Sequence, residues 1–382
     1  MITIREKYSC NGCHACASVC PKQCIVMQED SEGFKYPKVN TALCVNCGKC
    51  EKVCPVPKGI SAKNTPNAYA AINTDDKIRE ISSSGGIFYL LAEYVISQKG
   101  VVFGAKFDEE FNVKHSYAQT MEEIYGFMGS KYTQSTIGDS YLRAKQFLTE
   151  GKLVLFTGTP CQIGGLKSFL NKEYDNLICQ DLICHGVPSP KVWQKYISFQ
   201  QNDKNQKIQK VSFRNKNSSW KTYSLYLEFS NGNTFTEKFS ANLYMQSFLR
   251  DVCLRTSCYN CSFKSKSRDA DLTLADFWGI QHIMPDMDDD KGTSLVLLHT
   301  QKGMDVFENM HQHLKFAEVD LDSAIKYNPS MIKSANKNPV REKFLSEIQK
   351  KSFDKVVNKY CNSKIKFTTR VKLKIKKLIN KN

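Results

Sequence analysis

The apolar and polar positions along the chain predict helices that alternate with short strands. Helix-period apolar faces end at glycines, as at Gly100 and Gly151, and short apolar runs bounded by turn residues predict buried strands. The predicted helices are 86–99, 139–150, 162–170 and 191–200, and the predicted strands are 101–107, 153–156, 177–184, 272–277 and 294–299.

One segment predicts antiparallel structure. Asn231-Gly232 lies between two β-type runs, Tyr223 to Phe229 and Thr234 to Phe239, and Asn-Gly between such runs is the strongest short-range hairpin signal. The predicted class is therefore α/β (mixed α+β), with some antiparallel sheet.

Composition sets the size and compartment. The 382 residues are 41% hydrophobic and 24% charged, which predicts two to three folded domains and excludes long disorder. No run reaches the roughly eighteen apolar residues of a membrane span. Arg5, Glu6 and Lys7 precede cysteines rather than an apolar signal region, so we expect a reducing, cytoplasmic location in which the 16 cysteines are ligands or redox groups.

Nine of the cysteines lie near the N-terminus. Eight of them belong to two motifs of the same spacing, and the ninth is Cys24. Each motif has the spacing C-x2-C-x2-C-x3-C-P, in which the fourth cysteine binds the cluster of the other half in two-cluster ferredoxins. The predicted ligand sets are therefore crossed: Cys10, Cys13, Cys16 and Cys54 for one 4Fe-4S cluster, and Cys44, Cys47, Cys50 and Cys20 for the other.

Zinc is the alternative for Cys-x2-Cys pairs, but a zinc site uses four ligands in two pairs and leaves the two triplets unexplained. Cys24 has no place in either set and is predicted to be a buried thiol. This first module resembles the bacterial two-cluster ferredoxin over residues 1–60. A linker containing Pro and Ser follows, and the predicted domains are 1–60, a linker at 61–67, a large domain at 68–345 and a basic tail at 346–382.

Two loops of small residues precede predicted helices in the large domain. The run Ser82-Ser83-Ser84-Gly85-Gly86 places free backbone N–H groups at a helix N-terminus, where a phosphate can bind, although such runs also serve as plain caps and turns. The run Thr157 to Cys161 follows a strand and precedes a helix, as in dinucleotide sites, but lacks both the G-x-G-x-x-G and the P-loop pattern.

A second group of cysteines lies between residues 161 and 261. Cys179 falls within an apolar strand and Cys253 within a predicted amphipathic helix, so both are expected in the core. The other four are predicted at strand ends or in loops, where ligands gather, and a third 4Fe-4S cluster, a zinc site or a redox dithiol are the alternatives there. These four are Cys161, Cys184, Cys258 and Cys261.

Five short motifs together resemble the coenzyme F420 hydrogenase/dehydrogenase beta-subunit family over about residues 68–282. They are Ser83-Ser84-Gly85-Gly86, Gly129-Ser130-Lys131-Tyr132, Gly158-Thr159-Pro160-Cys161-Gln162, Cys184-His185-Gly186-Val187-Pro188-Ser189, and Cys258-x2-Cys261 followed by Ala275-Asp276-Phe277-Trp278-Gly279.

The resemblance implies a flavoprotein with FAD beside a third 4Fe-4S cluster. It implies cofactor contacts from two loops and two further positions, with Lys131 near the flavin ring, where a cation stabilises reduced anionic flavin. The form of the last two motifs is similar to the bacterial branch, which implies a link to surface-polysaccharide synthesis rather than use of F420. The implied cofactor-binding residues are Ser83, Ser84, Gly85, Gly86, Lys131, Tyr132, Gly158, Thr159, Pro160 and Asp276.

His185 is the predicted proton donor, with Lys131 as the second candidate catalytic residue. The ordinary pKa of a histidine suits proton transfer near neutrality, and His185 adjoins a predicted cluster ligand; the alternative is a hydrogen-bonded structural histidine. Asp276 either binds the flavin ribose or ring, or caps a turn at a strand end.

The net charge of +16 is concentrated near the C-terminus. Residues 364–381 contain eight Lys or Arg and no acid, with apolar residues on one helical face, which predicts docking on an anionic membrane surface, docking on a protein, or disorder. The pattern does not favour nucleic acid as a partner, because the basic residues do not interleave with aromatics along a groove.

Three functions are compatible with these patterns. The first is a flavin-dependent reductase that acts on a small molecule and receives electrons from a one-electron donor such as a ferredoxin. The second is an electron-transfer subunit of a larger complex, and the third, which ranks last, is a nucleic-acid-binding protein with structural clusters. A coenzyme F420-dependent oxidoreductase and a homo-oligomeric state are further options that the sequence leaves open.

Overall fold

The computed structural model describes residues 1–361. Its N-terminal part consists of an antiparallel hairpin, β1 (Ile25–Glu29) and β2 (Lys35–Val39), and two one-turn helices, α1 (Ala15–Ser18) and α2 (Lys49–Lys52). The residues before the two helices, His14 and Gly48, both adopt the left-handed conformation. The two halves of the cysteine motif therefore form the same local turn, as their common spacing predicts.

The large domain is built on an eight-stranded sheet with the order β13-β3-β12-β11-β7-β6-β4-β5. Its four central strands are parallel, and the flanking strands are antiparallel to their neighbours. The strands are β3 (Asn67–Asn73), β4 (Val101–Phe107), β5 (Val113–Ala118), β6 (Val154–Thr157), β7 (Leu177–Leu182), β11 (Leu272–Asp276), β12 (Ser294–Leu298) and β13 (Leu314–Val319).

Helices cover both faces of this sheet, as the apolar central strands require. One face packs against α4 and α11, and the other against α6 and α7, where the N-terminal part also packs. The helices associated with the eight-stranded sheet are α3 (Asp76–Ile81), α4 (Ile87–Ser97), α5 (Met121–Ile124), α6 (Ser140–Thr149), α7 (Pro160–Leu170), α10 (Ile280–Ile283), α11 (Gln301–Glu308) and α12 (Leu321–Ile325).

A second core surrounds a three-stranded antiparallel sheet of order β10-β9-β8. Trp193, Phe213 and Tyr244 are buried together at its centre. Its elements are α8 (Pro190–Lys204), β8 (Ile208–Asn215), β9 (Ser224–Phe229), β10 (Thr234–Lys238), α9 (Leu243–Leu249), α13 (Arg341–Ile348) and α14 (Phe353–Cys361).

The predicted mixed class and most predicted elements are confirmed, including the hairpin around Asn231-Gly232. Strands β3, β5, β8 and β13 were not predicted from the pattern. Cys179 is buried in β7 as expected. The helical assignment of Cys253 is wrong, because α9 ends at Leu249, but its thiol is fully buried.

The chain between the two parts is fastened to the large domain. Ser61 and Ala62 donate backbone hydrogen bonds to Asp269, and Asn64 donates to the carbonyl of Arg268. At the other end, the predicted boundary at residue 345 falls inside α13, and the described fold continues to Cys361. The basic segment 364–381 lies outside the described residues. Among residues 1–361, no helix has the length and apolar character needed to cross a membrane.

Candidate functional site

A cavity of about 710 Å³ opens at the carboxyl ends of the parallel strands. Ligands of α/β proteins bind at this edge, and the volume lies within the range of small-molecule and cofactor sites. The loops that line it follow β6, β7 and β11, since they contain Gly158, Cys184 and Trp278. The fold thus places motifs that are distant in sequence around one space.

Almost every site residue that the sequence predicts within the large domain lines this cavity. The exception among the cofactor-binding residues is Gly85, which packs against β12: its N–H donates to Ser294 Oγ at 3.0 Å. The lining includes Ser83, Ser84, Gly86, Lys131, Tyr132, Gly158, Thr159, Pro160, Cys161, Cys184, His185, Cys258, Cys261 and Asp276.

The N-termini of two long helices meet the cavity. Gly86 caps α4 with φ +84, a left-handed conformation that glycine adopts without strain. Thr159 caps α7, and its N–H donates to Oε1 of Gln162 at 2.9 Å. Both helix ends present free N–H groups and the positive end of the helix dipole, which favours an anionic group between them.

The two serine-containing motifs are joined directly. Ser83 Oγ accepts a hydrogen bond from Ser130 N at 2.7 Å and lies 2.9 Å from Ser130 Oγ. The next residue, Lys131, donates from Nζ to the carbonyls of Phe127, Met128 and Gly129 at 2.9 to 3.1 Å. Burial lowers the pKa of Lys131 to about 7. Its amino group therefore lies in the cavity wall but is already bound to backbone oxygen.

Asp276 ends β11 and forms an ion pair with Arg214 Nη2 at 3.1 Å. The guanidinium of Arg214 lies 3.9 Å from the ring centre of Tyr223 and 5.1 Å from that of Trp278. Asp276 thus holds a buried cation in the cavity wall, and its predicted contact with the flavin ribose or ring stays a prediction.

His185 has two polar partners. Its Nε2 lies 2.6 Å from Oδ1 of Asp251, and its Nδ1 lies 3.3 Å from Oγ of Ser330. Asp251 adopts a left-handed φ of +58, and Tyr259 donates a hydrogen bond to its carbonyl. Since Asp251 can only accept when ionised, Nε2 carries a proton and Nδ1 is left to face Ser330 and the cavity.

Four thiols gather in the wall of the cavity beside His185. Burial raises the pKa of Cys161 well above its usual range, and the nearby thiols of Cys261, Cys184 and Cys258 raise it further. Burial also raises the pKa of Cys184, to about 11, although Lys264 and Arg268 lie close enough to oppose the rise. We call Cys161, Cys184, Cys258 and Cys261 the third thiol set.

The first predicted ligand set also lies together. Burial raises the pKa of Cys16, and the charges of Cys13, Cys10 and Cys54 raise it further, so the fourth cysteine of the second motif does reach the first triplet. Arg255 is fully buried beside this set: it donates to Cys10 O at 2.8 Å, and its Nη2 lies 3.6 Å from Cys10 Sγ. We call Cys10, Cys13, Cys16 and Cys54 the first thiol set.

The second set lines a small recess nearer the surface. Cys20, Cys44, Cys47 and Cys50 border it, together with Cys24, whose Sγ lies 3.4 Å from that of Cys20. Cys24 is buried as predicted, but it adjoins the second thiol set, which the spacing had not indicated. Cys47 is exposed, whereas Cys50 is buried.

One helix and one arginine connect the first and third sets. Cys161 lies in the first turn of α7, and a Cβ at Gly165 would lie 3.0 Å from Cys13 Cβ and 3.1 Å from Cys13 Sγ. Four residues of helix rise about 6 Å. The side chain of Arg255 contacts Cys10. The backbone carbonyl of the same arginine accepts a hydrogen bond from the backbone N–H of Cys258 at 2.9 Å. The two sets are thus neighbours in space.

The donor set suits the implied groups. Four thiols in each set match the four-cysteine ligation of 4Fe-4S clusters. Among residues 1–361, no three His, Cys, Asp or Glu side chains form a site for a single metal ion. For FAD, the cavity offers two helix N-termini, an aromatic wall and buried polar atoms that have no hydrogen-bond partner among the described residues. These atoms include His115 Nδ1, Thr133 Oγ1, Arg214 Nε and Ser257 Oγ.

Several site residues were not found from the sequence. His115 is buried, lines the cavity and has Nε2 3.0 Å from the carbonyl of Thr157; burial lowers its pKa to about 4. Asp251, Ser330, Arg214 and Arg255 were also missed. No local pattern marks them, since their partners are brought near only by the fold.

Three curated relatives match over short segments. The chain is 43% identical over 49 residues to one subunit of the Na(+)-translocating ferredoxin:NAD(+) oxidoreductase complex of Acetobacterium woodii, which is 13% of this chain and 14% of that protein. It is 38% identical over 56 residues to NADH-quinone oxidoreductase subunit I 2 of Geobacter metallireducens, which is 13% of this chain and 43% of that protein. The NADH-quinone oxidoreductase subunit I of Pelobacter propionicus is 35% identical over 69 residues, 16% of this chain and 37% of that protein. The chain thus spans less than half the length of these relatives.

Among solved structures, a chain of the F420-reducing [NiFe] hydrogenase complex from Methanosarcina barkeri aligns with a TM-score of 0.47 and 18% identity, over 70% of this chain and 89% of that chain. Residues 9–57 match the family model of the 4Fe-4S dicluster domain. Residues 151–324 match the model of the C terminus of the coenzyme F420 hydrogenase/dehydrogenase beta subunit. The chain therefore joins a 4Fe-4S dicluster domain to a domain of the coenzyme F420 hydrogenase/dehydrogenase beta-subunit family, which is the composition of an iron–sulfur electron-transfer protein related to that subunit.

Proposed function

We propose that the chain is an FAD- and 4Fe-4S-dependent oxidoreductase that reduces a small molecule with electrons from a one-electron donor. One observation carries the proposal: the third thiol set and the loops suited to a flavin nucleotide line the same cavity. Clusters transfer single electrons, and bound flavin supplies one- and two-electron chemistry, so their adjacency couples a carrier to a substrate.

The order of the thiol sets supports an electron relay. The second set is nearest the surface, the first is buried beside α7, and the third borders the cavity. The buried cations Arg255 and Arg268 and the half-buried Lys264 offset the negative charge that thiolate-bound clusters bring into the interior.

The residues of the cavity divide the remaining tasks. The N-termini of α4 and α7 are placed to bind the pyrophosphate, and Arg214 offers a cation held by Asp276. His185 is the proton donor in this proposal when its ring is doubly protonated, because Asp251 then accepts from Nε2–H while Nδ1–H faces Ser330, which also lines the cavity. The substrate class implied by the resemblance is a glycan precursor or its lipid carrier.

An electron-transfer subunit of a larger complex is the second candidate. It is favoured by the names of the relatives, all of which are subunits of redox complexes. The purified chain would then reduce dyes but no metabolite.

The test supplies electrons from a reduced ferredoxin to the anaerobic protein and follows flavin bleaching by stopped flow. Cys161→Ala should retain flavin but slow its reduction by at least tenfold, because the last relay site is lost. Cys179→Ala, which removes a buried thiol outside the three sets, is the matched control. Equal rates in all three proteins would contradict the proposal.

A further inference from the structure

The surface around the second thiol set differs from the surroundings of the other two sets. Three large apolar side chains are exposed there: Val26, Leu43 and Val45 are 66%, 56% and 58% exposed. Val45 lines the recess together with Cys44 and Cys47, so this exposed apolar side chain lies beside the thiols, and Leu43 is two residues away along the chain. Residues such as these are normally buried, and a cluster of them beside a redox site marks a contact surface.

Positive charges predominate around this surface. Residues 20–28 and 38–52 contain four lysines and one acid. The acid, Glu51, is paired with the N-terminal ammonium at 3.0 Å. The four lysines are exposed and belong to no ion pair among the described residues; they are Lys22, Lys38, Lys49 and Lys52. Two of them, Lys22 and Lys49, line the recess with the thiols.

We propose that this surface docks an acidic one-electron carrier protein, of the ferredoxin or flavodoxin type, over Cys47. The proposal rests on the proposed function and adds its point of electron entry. Exposed lysines beside an apolar side chain complement an acidic carrier, steer its approach and favour the exclusion of water at the contact.

The step itself is simple. One electron leaves the reduced carrier and enters the site held by the second thiol set; the carrier is oxidised by one electron and the chain is reduced by one. No covalent bond forms or breaks. The first thiol set cannot serve as the entry, because Cys10, Cys13 and Cys16 are buried against Arg255 and α7.

The experiment compares the full chain with the double variant Lys22→Glu/Lys49→Glu. The probe is an acidic plant-type 2Fe-2S ferredoxin, whose spectrum differs from that of 4Fe-4S clusters. At low ionic strength, we expect the second-order rate constant of electron transfer to fall at least tenfold, and the difference to shrink as salt is added. The exposed lysines of the three-stranded sheet provide the control, Lys210→Glu/Lys238→Glu, which should change the rate less than twofold.

A binding measurement separates this proposal from the proposed function. The Kd of a redox-inert, gallium-substituted form of the same ferredoxin should rise at least tenfold for the double variant, whether or not the chain carries clusters. Reduction by photoreduced deazaflavin, which needs no docking surface, should stay the same.

Unchanged binding and rates would overturn the docking proposal, even where deazaflavin reduces the clusters normally. Loss of self-association in the double variant with unchanged carrier binding would overturn it as well, because the surface would then hold a second copy. Failure of deazaflavin to reduce any cluster in the unaltered chain would contradict the proposed function instead. Val45→Ser provides an uncharged second variant, and it should weaken carrier binding at every salt concentration.

Discussion

Each of the two N-terminal thiol sets contains four cysteines, as the third thiol set does, but the N-terminal sets and the third set are built in different ways. Each N-terminal triplet lies within seven residues, on one turn and one short helix. The third set draws Cys161 from the first turn of α7, Cys184 from the loop after β7, and the Cys258–Cys261 pair from the segment after α9. The first kind of site depends on local turns, and the second depends on the whole sheet.

The surroundings of the N-terminal sets and of the third set also differ. The second set is close to solvent, whereas the third shares a wall with the large cavity and with buried cations. In the proposed function, the N-terminal sets form the electron-entry unit, and the properties of the third set depend on the domain around it.

The largest predicted effects come from two glycines of the large domain. Gly165→Val should remove the first cluster, because a Cβ there would meet Cys13 Sγ at 3.1 Å. Gly186→Val should remove the third, because its Cβ would meet Leu254 Cδ1 at 2.8 Å and Cys258 Cβ at 3.2 Å. Each variant should lose about four of about twelve irons.

EPR after dithionite reduction identifies which cluster is missing in each variant. Gly232→Ala, at a position with no neighbouring atom within 4 Å, is the control for iron content. Loss of the same cluster in both glycine variants would contradict the separation of the two sites.

A smaller effect is expected when the contact between the two parts is broken. Arg255→Met leaves the carbonyls of Cys10 and Lys35 and Oε1 of Gln134 without their donor. We expect a loss of about 3 kcal/mol in the free energy of unfolding, at roughly 1 kcal/mol for each lost hydrogen bond. Anaerobic urea unfolding measures it. Exposed Lys210→Met should stay within about 0.5 kcal/mol, and an equal loss there would refute the assignment.

The stability of the large domain should depend on pH through one buried carboxyl group, that of Asp181. Burial raises the pKa of Asp181 from 3.8 to about 7, against the opposing effects of Arg268 and Thr273; Asp269 raises it further. Between these two pH values the folded state holds a proton that the unfolded chain releases, so stability falls as pH rises, by at most about 1.4 kcal/mol per unit.

Thermal melting between about pH 5 and pH 7 measures this slope. Asp181→Asn should flatten it, because no proton is then exchanged at this position. A slope as steep in the variant as in the unaltered chain would show that other groups cause it.

The smallest effect is expected at Cys24. Its thiol touches Cys20, but the four other cysteines of the recess complete the second set. Cys24→Ser should therefore keep the full iron content, whereas Cys47→Ser should lose about four irons. Iron and acid-labile sulfide analysis decides it, and iron loss in Cys24→Ser would make this thiol a ligand.

Prediction from sequence succeeded where the chemistry is local. The 4Fe-4S dicluster domain follows from the spacing and is confirmed, whereas the crossed ligand sets stay a prediction, which the proximity of Cys54 to the first triplet supports. The loops beside α4 and α7 were found because small residues precede a helix. The four cysteines of the third set were chosen from their positions at loops and strand ends, but their meeting depends on the order of the strands.

The missed residues share one cause. Arg255 contacts Cys10 across 245 residues of sequence, and Asp251 contacts His185 across 66. Arg214 meets Asp276 because the three-stranded sheet packs over the end of β11. Ion pairs and hydrogen bonds between distant segments leave no periodic or spaced pattern, so a single sequence cannot reveal them.

The most direct test of the central claim is the content of iron, acid-labile sulfide and released flavin in anaerobically purified protein, with an EPR spectrum after dithionite reduction. We expect about twelve irons and one FAD per chain, since in the proposed function three sets of four thiols each hold a 4Fe-4S cluster and the cavity holds the flavin. About eight irons without flavin would contradict it, because the third thiol set and the cavity would then hold neither group.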